Sequence, residues 1–215
     1  MSQKLERELV VKIAKKLTAG RTGNLSARVE NGFLITPTGI PNESLSSEQI
    51  VFIDGDGKCS EDQLKPSSEW RFHFDLYKKR SDVEAIVHTH STYATALACL
   101  QKDIPPFHYM LAEAGGDSIR CAQYATFGTQ ALSDNILDAI KDRKACLMAN
   151  HGMLAVGDNV KQAFDMAIQV EELAKQYVLT LQIGGPVILS KQEMAINIEK
   201  FKEYGKQNEP KKEQE

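Results

Sequence analysis

Apolar residues near the start of the chain recur every three or four positions, at Leu5, Leu9, Val10, Ile13, Ala14 and Leu17. That spacing gathers them on one side of a helix, and Gly20 predicts its end. The pattern then changes. Leu25 to Val29 and Phe33 to Thr36 flank Asn31-Gly32, the dipeptide that best fits a tight hairpin. Ile50 to Ile53 predicts another strand, and Asp54-Gly55-Asp56-Gly57 reads as a solvated turn, since it lacks the length and distal glutamate of a calcium loop. Ser67-Ser68-Glu69 looks like a helix start, with Phe72, Leu76 and Tyr77 turned inward.

Val83, Ala85 and Val87 alternate with other residues and lead into His88-Thr89-His90. A short helix from Tyr93 to Leu100 follows, stopped by Pro105-Pro106, and Ser133 is the expected cap of a helix carrying Ile136, Leu137 and Ile140. Ala145 to Met148 is apolar on both faces, as a buried central strand is, and Met153 to Val156 predicts one more. Helical periodicity runs from Val160 to Leu181 and stops at Gly184-Gly185-Pro186. A last helix carries Met194, Ile198 and Phe201. These elements predict an α/β fold, a three-layer α/β/α sandwich whose largely antiparallel sheet has helices on both faces. One domain is expected over residues 1–205, with a charged, disordered tail over 206–215.

Composition narrows the possibilities. A chain of 215 residues can bury a core without staples, and its net charge of -3 comes with scattered lysines, so no nucleic-acid surface is expected. No stretch is apolar enough to span a membrane, and the charged start has no secretory pattern. Cys59, Cys99, Cys121 and Cys146 lie far apart and read as reduced, mostly buried thiols of a cytoplasmic protein.

Chemistry concentrates at the histidines. His88 and His90 are two apart on a strand-like segment, so both rings project from one face. They can grip one ion, or be two polar residues at a strand end. His151, after the second buried strand, can supply a third nitrogen, leaving one position open as catalytic zinc sites do. Glu69 begins a helix and has a local reading as a capping glutamate; His73, one turn later, reads as a helix-face residue that bonds locally. Thr22-Gly23-Asn24, Thr38-Gly39 and Ser67-Ser68 offer hydroxyls, glycines or a helix start where an anion is favoured. Singly each is an ordinary turn or cap; with a metal triad they suggest a phosphorylated substrate.

At this point the chain resembles the class II, zinc-dependent aldolase family, of the L-fuculose-phosphate aldolase type. The matching stretches are Gly23-Asn24-Leu25-Ser26, Leu34-Ile35-Thr36-Pro37-Thr38-Gly39, Pro66-Ser67-Ser68-Glu69, His88-Thr89-His90, His108-Tyr109-Met110 with Ala114-Gly115-Gly116, Tyr124 through Thr129, and Asn150-His151-Gly152. The resemblance implies one Zn2+ per subunit (Mn2+ or Co2+ being alternatives) on His88, His90 and His151, with Glu69 as fourth ligand and acid/base. It implies a phosphate cradle of Asn24, Thr38, Gly39, Ser67 and Ser68, and an aldehyde-side wall including Phe127. Tyr109 would reach a neighbouring subunit's site to handle the aldehyde-oxygen proton, and Tyr204 would lie on a mobile C-terminal segment closing over the site. A homotetramer with sites between subunits is implied, together with retro-aldol cleavage of a ketose 1-phosphate to dihydroxyacetone phosphate and an aldehyde.

Two departures stand out. Ala19-Gly20-Arg21 is a shorter approach to the phosphate loop, with Arg21 either adding charge at the phosphate or, as the favoured reading, facing solvent, and Asn150 replaces a histidine of some relatives. Other reactions on the same scaffold are a methylthioribulose-1-phosphate dehydratase and a ribulose-phosphate 4-epimerase. A zinc hydrolase would leave the anion-binding segments unexplained and would lack an H-E-x-x-H helix. A non-enzymatic adaptor would not need the triad and Glu69 together.

Overall fold

The computed structural model describes residues 3–17 and 22–204. The expected stop at Gly20, the placement of Arg21 and the tail from Gly205 fall outside them. Six α-helices are described: α1 (Gln3–Ala14), α2 (Trp70–Lys79), α3 (Thr92–Ala98), α4 (Gln130–Ala139), α5 (Val160–Gln182) and α6 (Lys191–Phe201). The strands are β1 (Asn24–Val29), β2 (Gly32–Ile35), β3 (Val51–Asp54), β4 (Ala85–Thr89), β5 (Cys121–Ala122), β6 (Ala145–Met148) and β7 (Gly152–Gly157). They form one sheet in the order β3-β2-β1-β4-β7-β6-β5, antiparallel except where β5 meets β6.

Alternation along the strands builds the layers. Leu25, Ala27, Leu34, Ala85, Val87, Leu147, Met153 and Ala155 pack on one face with α1, α3 and α5. Phe33, Ile35, Ile86, Cys146, Met148, Leu154 and Val156 pack on the other with α2 and α4. The expected three-layer α/β/α arrangement is therefore present, with a hydrophobic core on each side of the sheet.

Local signals account for most boundaries. Asn31 takes the left-handed backbone at φ 62°, as the hairpin between β1 and β2 requires. In the turn after β3, Asp54 Oδ1 accepts from the amides of Asp56 and Lys58, both at 2.9 Å, so this aspartate closes its own turn. The outer edge of β3 is engaged by a side chain: Phe52 N–H donates to Gln63 Oε1 (2.8 Å), and Gln63 Nε2 donates back to Phe52 O (3.2 Å).

Ser133 is not a cap. Thr129 begins α4, accepting from Leu132 N at 3.3 Å, because the turn at Thr126 starts the helix a full turn earlier. Ser133 is instead buried inside α4, where its hydroxyl donates to Asp75 of α2 at 2.6 Å. The cysteines are all free thiols, but only Cys146 is buried; Cys59 and Cys121 are partly exposed and Cys99 is exposed. No helix among the described residues is long and apolar enough to cross a membrane.

Candidate metal centre and substrate site

The site lies at one end of β4 and β7. His88 is fully buried on β4, on the sheet face covered by α2, with Asn24 of β1 directly across in register. Its Nδ1 lies 2.9 Å from the Met153 carbonyl. A carbonyl only accepts, so Nδ1 carries the proton and Nε2 keeps a free lone pair. That Nε2 lies 3.0 Å from Nε2 of His90, just past the end of β4. His151 enters from the turn between β6 and β7, where His151 N–H donates to Met148 O and Asn150 takes φ 54°. Asparagine tolerates that conformation, and its side chain is fixed by Gln101 Nε2 at 2.6 Å. Gly152 is demanded by the next step: a Cβ there would lie 2.4 Å from the Thr89 carbonyl, so β4 and β7 approach at the histidines only because it has none.

The ligand nitrogens of His88, His90 and His151 all lie within 4.8 Å of one another. Glu69 completes the group from the residue before α2. Its Oε2 is 3.3 Å from His88 Nε2 and its Oε1 is 3.1 Å from His151 Nε2. Glu69 does not use its side chain to cap α2. Its Oε1 is shut off from solvent and, despite the nearby imidazole, makes no well-formed hydrogen bond. An orphaned carboxylate oxygen among converging imidazole nitrogens is what a divalent cation satisfies, so the residues present fit a metal ion.

The electrostatics agree. Burial, reinforced by His88 and His151, pushes the pKa of His90 down to about 4, leaving its ring free of a second proton at neutral pH. Burial alone would raise the Glu69 carboxyl, but His88 and His151 beside it hold it well below the usual carboxylate range.

The segments expected to favour an anion lie beside one another next to Glu69. Ser67 N–H donates to Thr36 O and Thr38 N–H to Lys65 O, and a bridge between Pro37 and Pro66 ties the two segments together. Thr38, Gly39 and Ser68 are exposed beside one another's segments, while Ser67 is buried and accepts from the Glu69 amide at 3.3 Å. Gly23 presses on the His88 carbonyl, where a Cβ would lie 2.6 Å away. Asn24 is buried, donating from Nδ2 to Glu69 Oε2 at 3.0 Å.

The sequence matches the Class II Aldolase and Adducin N-terminal domain family over residues 10–178. The chain belongs to this family. It is 52% identical over 190 residues to the L-fuculose phosphate aldolase of Escherichia coli, covering 88% of each chain. It is 53% identical over 189 residues to the 5-methylthioribulose-1-phosphate/5-deoxyribulose-1-phosphate aldolase of Rhodospirillum rubrum, covering 88% of this chain and 85% of that one. A solved L-fuculose 1-phosphate aldolase structure superposes with a TM-score of 0.88 at 42% identity, covering 92% of this chain and 96% of the other.

In this class II aldolase chain, the remaining expected site residues separate into two places. Phe127 is exposed beside Gly128, where a Cβ would lie 2.9 Å from the Ser68 carbonyl, so it borders the candidate phosphate segment. Tyr109, half exposed, stacks on Phe201 at 6.3 Å, and Phe201 touches Tyr204 at 5.1 Å. Tyr204 lines a groove with Val83, Lys144 and Gly157, at the end of β4, β6 and β7 remote from the histidines. Within one chain, neither tyrosine joins the metal group.

The reading of His73 as a locally bonded helix-face residue is corrected. It is fully buried, and its partners are on β1: Ser26 Oγ at 2.7 Å and Asn24 Oδ1 at 2.6 Å. The surface of α2 that carries it faces the sheet, not solvent. Ser26 in turn contacts the Tyr77 hydroxyl at 2.7 Å. A spacing signal existed for this network: Glu69, His73 and Tyr77 recur every four residues on a helix, and Asn24 and Ser26 every two on a strand.

Proposed function

We propose that the chain is a metal-dependent aldolase that cleaves a ketose 1-phosphate into dihydroxyacetone phosphate and an aldehyde. The observation that carries this reading is the Glu69 carboxylate, set 3.3 Å and 3.1 Å from two of three converging histidines and directly after the Ser67-Ser68 segment. A hydrolase has no need of a carboxylate that both completes the metal group and borders a phosphate cradle. The relatives described above act on fuculose, methylthioribulose and deoxyribulose phosphates, which supports this substrate class.

His88, His90 and His151 would hold the ion, with Glu69 as the fourth ligand at rest. We assign zinc, because three imidazoles and one carboxylate suit it. When bound, the cation supplies a Lewis acid at the substrate carbonyl. Thr38, Ser67 and Ser68 would offer hydroxyls to the phosphate, Gly39 its backbone amide, and Asn24 the Nδ2 proton not given to Glu69. Tyr109 acts as a relay, passing the proton that leaves the C4 hydroxyl on to solvent. Glu69 takes up a proton from solvent once it turns away from the imidazoles. The bond between C3 and C4 then breaks, its electron pair stays on the C3 side, and Glu69 delivers its proton to C3. One proton passes from oxygen to solvent and one from solvent through Glu69 to carbon, so the cleavage is balanced. Glu69 is suited to this change of role: its carboxyl is ionised while the imidazoles face it, and once it moves away from them burial raises its proton affinity.

Tyr109 lies with Phe201 and Tyr204, away from its own histidines, which supports its supply to a neighbouring subunit. Ile183, Val187, Ile188 and Ile196 are exposed around the end of α5 and along α6, apolar surface suited to subunit packing. A homotetramer with shared sites accommodates both features, with Tyr204 and Phe127 on the aldehyde side. The free cysteines suit a reducing, cytoplasmic setting.

The test is a product assay on metal-loaded protein with L-fuculose, L-rhamnulose, 5-deoxyribulose and methylthioribulose 1-phosphates. Release of dihydroxyacetone phosphate is expected, and the best substrate names the aldehyde. Loss of substrate without that product replaces the aldolase reading with a dehydratase or an epimerase.

A further inference from the structure

A line of buried polar groups crosses the otherwise apolar layer between α2 and β1. It runs from Glu69 through Asn24, His73 and Ser26 to Tyr77, over contacts of 3.0, 2.6, 2.7 and 2.7 Å. Asn24, Ser26, His73 and Tyr77 are at most 7% exposed. Its end at Tyr77 is fastened by Arg28, whose guanidinium lies 4.7 Å from the Tyr77 ring centre and donates to the Tyr77 carbonyl at 3.1 Å.

Chemistry assigns every donor in this line. The Glu69 carboxylate only accepts, so the Asn24 group facing it is the amide nitrogen, and Oδ1 faces His73. Oδ1 also only accepts, so His73 Nε2 carries the ring proton. Burial keeps His73 neutral, with its pKa brought down to about 3, so Nδ1 is bare and accepts from Ser26. Having donated to His73, the Ser26 hydroxyl accepts from Tyr77. The order is fixed in one direction along the whole line. An amide does not pass protons on, so the line cannot feed protons to Glu69. What it can do is hold an orientation.

We propose that His73 is a positioning residue that keeps the Asn24 amide nitrogen turned toward Glu69, and so keeps the Glu69 carboxylate aligned between the histidines and the substrate. If Asn24 turned over, its carbonyl oxygen would face the carboxylate and repel it. This inference rests on the role proposed above for Glu69, but the bonding order it requires does not.

The test therefore has two readouts. In the metal-free protein, 15N chemical shifts of the imidazoles report which nitrogen is protonated. The expected result is a proton on Nε2 of His73 and none on Nδ1; a proton on Nδ1 overturns the proposal. In the metal-loaded enzyme, His73→Leu is expected to lower kcat by roughly ten- to a hundred-fold, the weight of one lost hydrogen bond to a charged group. KM and bound metal are expected to be unchanged. His73→Gln, which can present a nitrogen donor to Asn24, is expected to restore most of the rate. A folded His73→Leu with full kcat, or a His73→Gln no better than His73→Leu, overturns the proposal. If His73→Leu does not fold, Ser26→Ala removes a single hydroxyl: a mixed His73 tautomer with lowered kcat supports the proposal, and an unchanged tautomer with unchanged kcat overturns it. Absence of aldolase turnover in the unaltered protein removes the catalytic reading alone, and the tautomer measurement still decides the bonding order.

Discussion

Glu69 Oε1 lies 3.1 Å from His151 Nε2, joining the start of α2 to the turn between β6 and β7. Asn24 holds the other carboxylate oxygen of Glu69, and the backbone turn onto Met148 holds His151 in place. A neutral amide in place of the carboxylate would fill the same space without an exchangeable acid proton. Glu69→Gln is therefore expected to fold normally and to lose about 10²- to 10⁴-fold in turnover, the usual weight of a general acid or base. Product-release kinetics alongside circular dichroism check this, and a near-normal rate removes the acid/base role.

Tyr109 offers a hydroxyl and no other ionisable group, on a ring packed against Phe201. Tyr109→Phe keeps the ring and removes only the hydroxyl proposed to relay the proton. Cleavage is expected to slow by about 10² or more, while metal content stays at that of the unaltered protein. Loss of metal, measured by elemental analysis, would instead put the hydroxyl in the coordination shell.

The three imidazoles of the candidate metal group are placed by β4 and by the turn between β6 and β7, so an ion held there is expected to be removable without loss of the fold. Treatment with a chelator is expected to abolish turnover, and added zinc to restore it. Turnover in a preparation verified to be metal-free would refute the mechanism.

His73 makes stability depend on pH. It titrates near 6.5 in an unfolded chain, and burial brings it to about 3 in the folded one. Between these values the unfolded chain binds a proton that the folded chain refuses. The associated stability is complete above pH 6.5 and is lost progressively as pH falls toward 3. The urea midpoint of the chelator-treated protein is expected to drop over that window, with a smaller drop in His73→Gln. Equal slopes for the two proteins would locate the effect elsewhere.

Much of this fold was legible because the periodicities are strong. The alternation leading into His88 and the doubly apolar run from Ala145 to Met148 come out as β4 and β6. The helical spacing from Val160 to Leu181 comes out as α5, ending one residue later. Boundaries set by competing caps were less legible: both Thr129 and Ser133 can start a helix, and only the turn at Thr126 decides between them. The convergence of His88, His90 and His151 was readable because two are spaced for one strand face and the third directly precedes β7, the strand paired with β4. The bonding of His73 was less legible, because the four-residue recurrence of Glu69, His73 and Tyr77 places them on one side of a helix without saying which strand residues face them. Tyr109 and Tyr204 illustrate a different limit: within one chain they lie apart from the histidines, and the proposed sharing of the site between copies is what would bring them to it.

Gln63 bears on how copies of this chain can meet. An open strand edge is a template on which another chain can lay its own backbone, and β3 is such an edge. At Phe52 the amide and carbonyl that would receive a foreign strand are both taken by the Gln63 side chain, and at the far edge β5 offers only two residues. The blocked and shortened edges keep the sheet a closed unit, so that copies brought together at high local concentration would not have their sheets fuse into a continuous ribbon.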